Sequence, residues 1–322
     1  MSEKTGLFLR RWMLLISMSL GVGLSMLLFY VPGLASIEAP WHEFAHRMQP
    51  VLVGVMLFLQ FNVTAPSDLG LHRWHVRILL LQALLFTVAA AVCIALPRGG
   101  VPSLLFECAM LCFICPTASA SGVITSKIGG SLQQGMAYLL LSDMLATLLI
   151  PVIIPLVHPS EVHSYLQRLW IIGQRVFAIL VLPCALAWLI RFFLPGLQRW
   201  LARYTGWAFY VWGICLMLAM YLATHSLLSS GTSIWTAFLI AAVAMLSCVL
   251  QFWLGRRLTR RQGDAERITA GQVLGQKNTG FLIWLGLGFM TPVTSVVGGF
   301  YALWQNLINS WELQHTKIID KH

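Results

Sequence analysis

The chain has 322 residues, of which 58% are hydrophobic and only 10% charged, and its mean hydropathy is +0.78. A soluble domain carries roughly 25% charged residues, so apolar runs recurring from end to end describe an all-α polytopic membrane protein with no separate soluble domain. The formal net charge of +10 invites a nucleic-acid partner, but the placement of the basic residues argues for a different one, the lipid bilayer.

The first apolar run, Trp12 to Val31, follows the charged start MSEKTGLFLRR. It is long enough to span and too long for a signal-peptide core, and no small-residue cleavage site follows, so it is expected to stay as a first helix. Further runs at 50–66, 78–96, 103–126, 134–156, 169–190, 206–228, 232–254, 268–290 and 292–312 bring the expectation to about ten spans. With the N-terminus inside, sixteen of the 21 Lys and Arg residues fall on the inner side, among them Lys4, Arg10, Arg11, Arg256, Arg267, Lys317 and Lys321. Arg47, Arg98, Arg168 and Arg175 fall outside, and Lys277 is left over. This bias follows the positive-inside rule. It places both termini in the cytoplasm and the spans in the cell's inner (plasma) membrane, and it assigns the basic charge to topology and anionic headgroups. Arg175, slightly inside the sixth span, is expected to snorkel to the outer interface.

The seven cysteines all lie in apolar runs, where they read as small hydrophobes rather than a disulfide framework. CAMLCFIC puts Cys108, Cys112 and Cys115 near one helix face, but no His or further Cys completes a metal spacing, and no metal site is expected there.

Three spans carry polar residues at their centres. The fourth is interrupted at CPTASASG: Pro116 removes a backbone donor and disfavours helix at Cys115, and small residues follow. Two readings stay open there, a kink packed on a neighbour, or an unwound stretch beside a wet cavity. The ninth holds GQKNTG, with Gly275 and Gly280 flanking Lys277, Asn278 and Thr279. An unpaired Lys at mid-membrane costs at least about 2.5–3.5 kcal/mol, so Lys277 needs a partner or water. The fifth offers Asp143 as its counter-charge, whereas Glu107, nearer the outer end of the fourth, reads as an interfacial carboxylate. Spans four and nine hold matched places in two five-helix halves. Five is odd, so the halves must be inverted, and paired interruptions in inverted repeats point to a substrate site at the midplane.

CPTASASGV, GQKNTGF and PVTSVVGGFYALWQNLINS together resemble the bile acid:sodium symporter family in its ten-helix bacterial form, most specifically in spans four, nine and ten. The resemblance implies discontinuous helices 4 and 9 that cross. It implies a core domain within 78–156 and 232–312, a panel domain within 12–66 and 169–228, and substrate bound between them during alternating access. Carried over by motif, the family's TASN falls on Ser119, Ala120, Ser121 and Gly122, or with a gap its TAS falls on Thr117, Ala118 and Ser119. Its helix-three Gln corresponds to Gln82, and its ninth-helix Asn and Ser/Thr to Asn278 and Thr279. Trp304, Asn306 and Ser310 match its tenth helix. The family's sodium-binding Glu falls on Val273, beside Gln272. The following Gln falls on Lys277, and Asp143 falls on or one turn from a sodium-binding Thr. A carboxylate is thus lost and an ammonium gained at helix nine, with a carboxylate gained at helix five. The expectation is a non-enzymatic secondary transporter of an organic anion, without cofactor beyond a coupling ion, sodium or a proton. An Asp143–Lys277 pair would alter or replace the sodium coupling.

Two rivals belong to other classes. HEFAH at 42–46 fits His-Glu-x-x-His, the zinc signature of a metalloprotease with Glu43 as base. It lies in the first outside loop, behind Pro40, where an interfacial segment seating Trp41 and Phe44 at the headgroups is the better reading. A non-transporting sensor built on the same fold is the other. Oligomeric state is not legible in the sequence.

Overall fold

A computed structural model describes the backbone of residues 3–319 and the side chains of residues 12–315. Lys4, Arg10, Arg11, Lys317 and Lys321 lie outside the residues whose side chains are described. Among the described residues there are fourteen α-helices and no strand. In chain order they are α1 (Glu3–Tyr30), α2 (Ala35–Val63), α3 (Arg73–Ala95), α4 (Val101–Ile114), α5 (Ser121–Lys127), α6 (Leu132–Val157) and α7 (Tyr165–Leu180). There follow α8 (Leu182–Phe193), α9 (Pro195–Ala202), α10 (Ala208–Ser229), α11 (Ile234–Leu258), α12 (Asp264–Gly275), α13 (Thr279–Phe289) and α14 (Val296–Ile319).

Local chemistry sets many of the boundaries. Ser131, Ser164 and Ser233 cap α6, α7 and α11, each hydroxyl accepting from a backbone N–H three residues on. Gly129 and Gly231, at φ 90° and 61°, turn the chain after α5 and α10, where a side chain would be strained. Pro183 sits at the start of α8, and the α7–α8 pair bends there by 45°.

Among the described residues, five helices are long and apolar enough to cross a membrane: α1 from Trp12, α3, α6, α10 with its preceding turn, and α11; the bent α7–α8 pair makes a sixth. Their outer faces suit lipid. On α3, Val76, Leu80, Leu84 and Val88 are all exposed at four-residue spacing, a stripe that water would not tolerate.

One expectation needs correction. Residues 35–49 are no loop: α2 is continuous through Pro40 and Pro50, so HEFAH is helical. Glu107 is buried by protein rather than open to its surroundings. It is 5% exposed, covered by the turn after α13 and the end of α6; its Oε2 accepts from the Thr291 N–H at 3.3 Å and lies 3.2 Å from His158 Nε2. Arg175 sits with its guanidinium over the Phe289 ring, 5.8 Å from the centroid.

Candidate functional site

The fourth and ninth apolar runs are each folded as two half-helices, α4 with α5 and α12 with α13, and the two breaks lie against each other. Thr117 and Lys277 face one another as an antiparallel bridge. The Ala118 N–H donates to the Gln276 carbonyl at 3.0 Å, and the Asn278 N–H donates to the Pro116 carbonyl at 2.9 Å. This is the wide pairing of an antiparallel ladder, in which the N–H and C=O of the two central residues point outward. In a membrane those groups must be satisfied by protein, and side chains do it. Ser142 of α6 accepts from the Thr117 N–H at 3.1 Å. The Gln305 amide of α14 meets the whole Lys277 peptide, accepting from its N–H at 2.8 Å and donating to its carbonyl at 3.3 Å.

The carbonyls ending α4 and α12 are held by a Gln–Tyr pair each. Gln82 of α3 donates to the carbonyls of Ile114 and Cys115, both at 3.4 Å, and accepts from the Tyr138 hydroxyl of α6 at 2.8 Å. Tyr301 of α14 donates to the Gly275 carbonyl at 2.8 Å and accepts from Gln251 of α11 at 3.1 Å, which also donates to the Cys112 carbonyl at 3.2 Å. Each Tyr precedes by four residues the side chain that satisfies its break, Tyr138 before Ser142 and Tyr301 before Gln305. Thr117 also donates its hydroxyl to the Val273 carbonyl at 2.7 Å.

The residues singled out in the sequence separate into three groups. Thr117, Lys277, Asn278 and Thr279 meet at the crossing, with Ser119 beside them on the cavity wall. Gln82 serves as a buried cap on α4, and Ser121 is fully buried with its hydroxyl unpartnered. Asp143 stands apart: no ion pair joins it to Lys277, and neither its oxygens nor the Lys277 Nζ has a hydrogen-bond partner. The Lys277 ammonium lies within electrostatic range of the thiols of Cys112, Cys115 and Cys248, and Asp143 on α6 within range of Cys115 and of Cys184 on α8. The expected pair is therefore not formed in this conformation. Sequence reasoning missed Tyr138, Ser142, Gln251, Tyr301 and Gln305; the signal was the Tyr-x-x-x-polar spacing repeated in spans five and ten.

Beside the crossing lies a cavity of about 450 Å³. The crossing forms one wall through Ser119, Asn278 and Thr279, and Phe209 and Trp212 of α10 stand among the residues that line it. Gln60, Asn306 and Asn309 add neutral amides. Lys277 borders the cavity but is 0% exposed with its Nζ shielded, so its ammonium is not displayed to this space. What the cavity does offer is the start of α13 at Thr279 and Gly280, the positive end of the helix dipole; the Thr279 N–H itself donates to the Lys277 carbonyl at 2.9 Å and the Phe281 N–H to Asn278 Oδ1 at 3.2 Å. Gly280 lets α2 and α10 approach closely there: a Cβ would lie 2.8 Å from Gln49 Nε2 and 3.1 Å from Cys215 Sγ, so the Gln49 side chain would have to move. Among the described residues, no three His, Cys, Asp or Glu side chains converge to hold a metal. In HEFAH, His42 packs on His225 of α10 with ring centroids 4.2 Å apart, and Glu43 pairs with Arg47 on the exposed face. No protein-family model matches this chain, and no curated protein matches it.

Proposed function

We propose that the chain is a secondary transporter of an organic anion, working by alternating access in the inner membrane. The observation that carries this reading is the pair of helices broken at apolar centres, joined at their breaks beside a cavity of about 450 Å³. Broken, paired helices in corresponding positions are how carriers build a midplane site. The Gln–Tyr clamps supply further support. A helix before each break gives the Gln, the helix after it gives the Tyr, and the same four-residue step leads on to the satisfying side chain. That correspondence suits about ten spans arranged as two inverted repeats of five, with a core carrying the crossing and a panel including α2 and α10 across the cavity. The resemblance to bile acid:sodium symporters in spans four, nine and ten points the same way.

An organic anion suits the site because α13 starts at the cavity and, among the described residues, no carboxylate lines it. Coupling is proposed to pass through Asp143 and Lys277 in place of sodium. Each is fully buried with its head group unpartnered, and a buried charge needs a proton, a counter-ion or a new partner. Asp143 and Lys277 would exchange protons or approach each other in another state of the cycle. Proteoliposomes with sodium and proton gradients imposed separately test this. Anion flux driven by the proton gradient supports it; flux driven by sodium alone sinks the coupling scheme, and absence of any substrate-dependent flux sinks transport and favours a sensor.

A further inference from the structure

At the end of the bundle that carries the arginine-rich loop, a second hollow of about 410 Å³ opens between α11, α12, α14 and the turn after α5. Arg256 and Arg267 line it, with Ile128, Ile268, Trp311 and His315. Its only acid among the described residues, Glu312, is 7% exposed and engaged on the inner wall: one oxygen pairs with Arg256 and the other accepts from Gln272 Nε2 at 2.6 Å. Arg256 keeps an Nε–H that is shielded from solvent and unpartnered. Arg267 pairs only with Asp264, 83% exposed, at 3.0 Å, a surface contact too weak to withhold it from a ligand. Arg257, Arg260 and Arg261, at the end of α11 and just beyond it, are exposed. With two guanidinium groups and one carboxylate among the described residues that line it, the hollow is electropositive.

Its surroundings say which anion. Leu303, Leu307 and Trp311 of α14 are exposed by 39%, 54% and 56% and lie at four-residue steps on one line. That line runs about 12 Å along the helix at 1.5 Å per residue. It ends in the hollow, where the Trp311 ring lies 4.3 Å from that of His315. An apolar track finishing in an arginine-lined hollow with an aromatic ring at the boundary has the shape of a phospholipid. We infer that this hollow binds the phosphate headgroup of an anionic membrane lipid, with its acyl chains along Leu303, Leu307 and Trp311. Arg256 and Arg267 meet the phosphate in the bidentate manner that guanidinium allows. Because the site joins α11, α12 and α14, an occupying lipid ties together three helices that hold the second break.

The test uses the full chain in non-ionic detergent, titrated with phosphatidylglycerol, with phosphatidylcholine of the same acyl chains, or with inorganic phosphate. Thermal unfolding and lipid retained in native mass spectrometry are the readouts. Phosphatidylglycerol is expected to raise the unfolding temperature, and phosphatidylcholine not to. Arg267→Gln is expected to weaken half-saturation by about fivefold, the worth of one headgroup charge. Trp311→Ala weakens it by removing the boundary ring, and Arg260→Gln, exposed nearby in sequence but not lining the hollow, leaves it nearly unchanged. Both Arg267 and Trp311 are exposed, so these variants keep the fold. Equal shifts with both lipids, or equal weakening by Arg260→Gln and Arg267→Gln, would overturn the site. An equal shift with inorganic phosphate would overturn the lipid as its occupant.

Discussion

The two broken helices share a scaffold and differ in chemistry. In the first, Gln82 holds the carbonyls ending α4 and Tyr138 holds Gln82; in the second the order is reversed, Tyr301 holding the Gly275 carbonyl and Gln251 holding Tyr301. The central residue of the first break is neutral Thr117, satisfied by one hydroxyl; that of the second is Lys277, satisfied at both peptide groups by one amide. The residue after each satisfying side chain differs as well: Asp143 follows Ser142, and Asn306 follows Gln305. The positive charge thus sits in one half and the negative in the other. Near-symmetry in the clamps with asymmetry in the charges separates what builds the crossing from what is proposed to drive it.

The comparison can be broken at the clamps or at the charges. Gln305→Leu orphans both peptide groups of Lys277 and is expected to cost about 2–6 kcal/mol, at about 1–3 for each buried group left unpaired; loss of the unfolding transition's upper part in detergent melts checks it. Lys277→Met removes an unpartnered buried charge and is expected to stabilise the protein by about 1–4 kcal/mol. Flux in liposomes would fall at least about tenfold in the same variant, as expected for a group engaged during turnover rather than at rest. Tyr301→Phe severs two hydrogen bonds and Tyr138→Phe one, so the first is expected to cost about 1 kcal/mol more than the second in equilibrium unfolding. Equal costs would mean that the reversed order of the clamps has no energetic consequence. Ser142→Ala leaves a single N–H short of an acceptor and is expected to cost about 1 kcal/mol, the least of the set.

Both breaks were legible because proline, small hydroxyl residues and a lysine interrupt apolar runs, and interruptions stand out against a uniform background. Asp143 and Lys277 were legible as charges in the wrong place, but not their separation, which depends on where an extended backbone aims one side chain and which face of α6 carries the other. The clamps were not legible residue by residue. Gln and Tyr within a span are ordinary, and only the tertiary arrangement decides that Gln251 reaches Cys112 and Tyr301. Residues 35–49 were misread for a local reason: Pro40, Pro50 and several charges look like a loop, yet α2 stays helical through them and packs on α10, Glu38 and His42 on His225, Trp41 on Tyr221 and Gln49 on Cys215.

The bridge between Thr117 and Lys277 also orders events in time. Its two strands are separated in the chain by everything from α5 to α12. During synthesis the Ala118 N–H and the Pro116 carbonyl of the first break must therefore wait for Gln276 and Asn278, and Lys277 of the second break waits in turn for Gln305 of α14. Joining points so distant carries a large closure entropy and belongs late in folding. The crossing is thus the closing step of assembly, and a chain halted before α14 retains unsatisfied polar backbone at its centre.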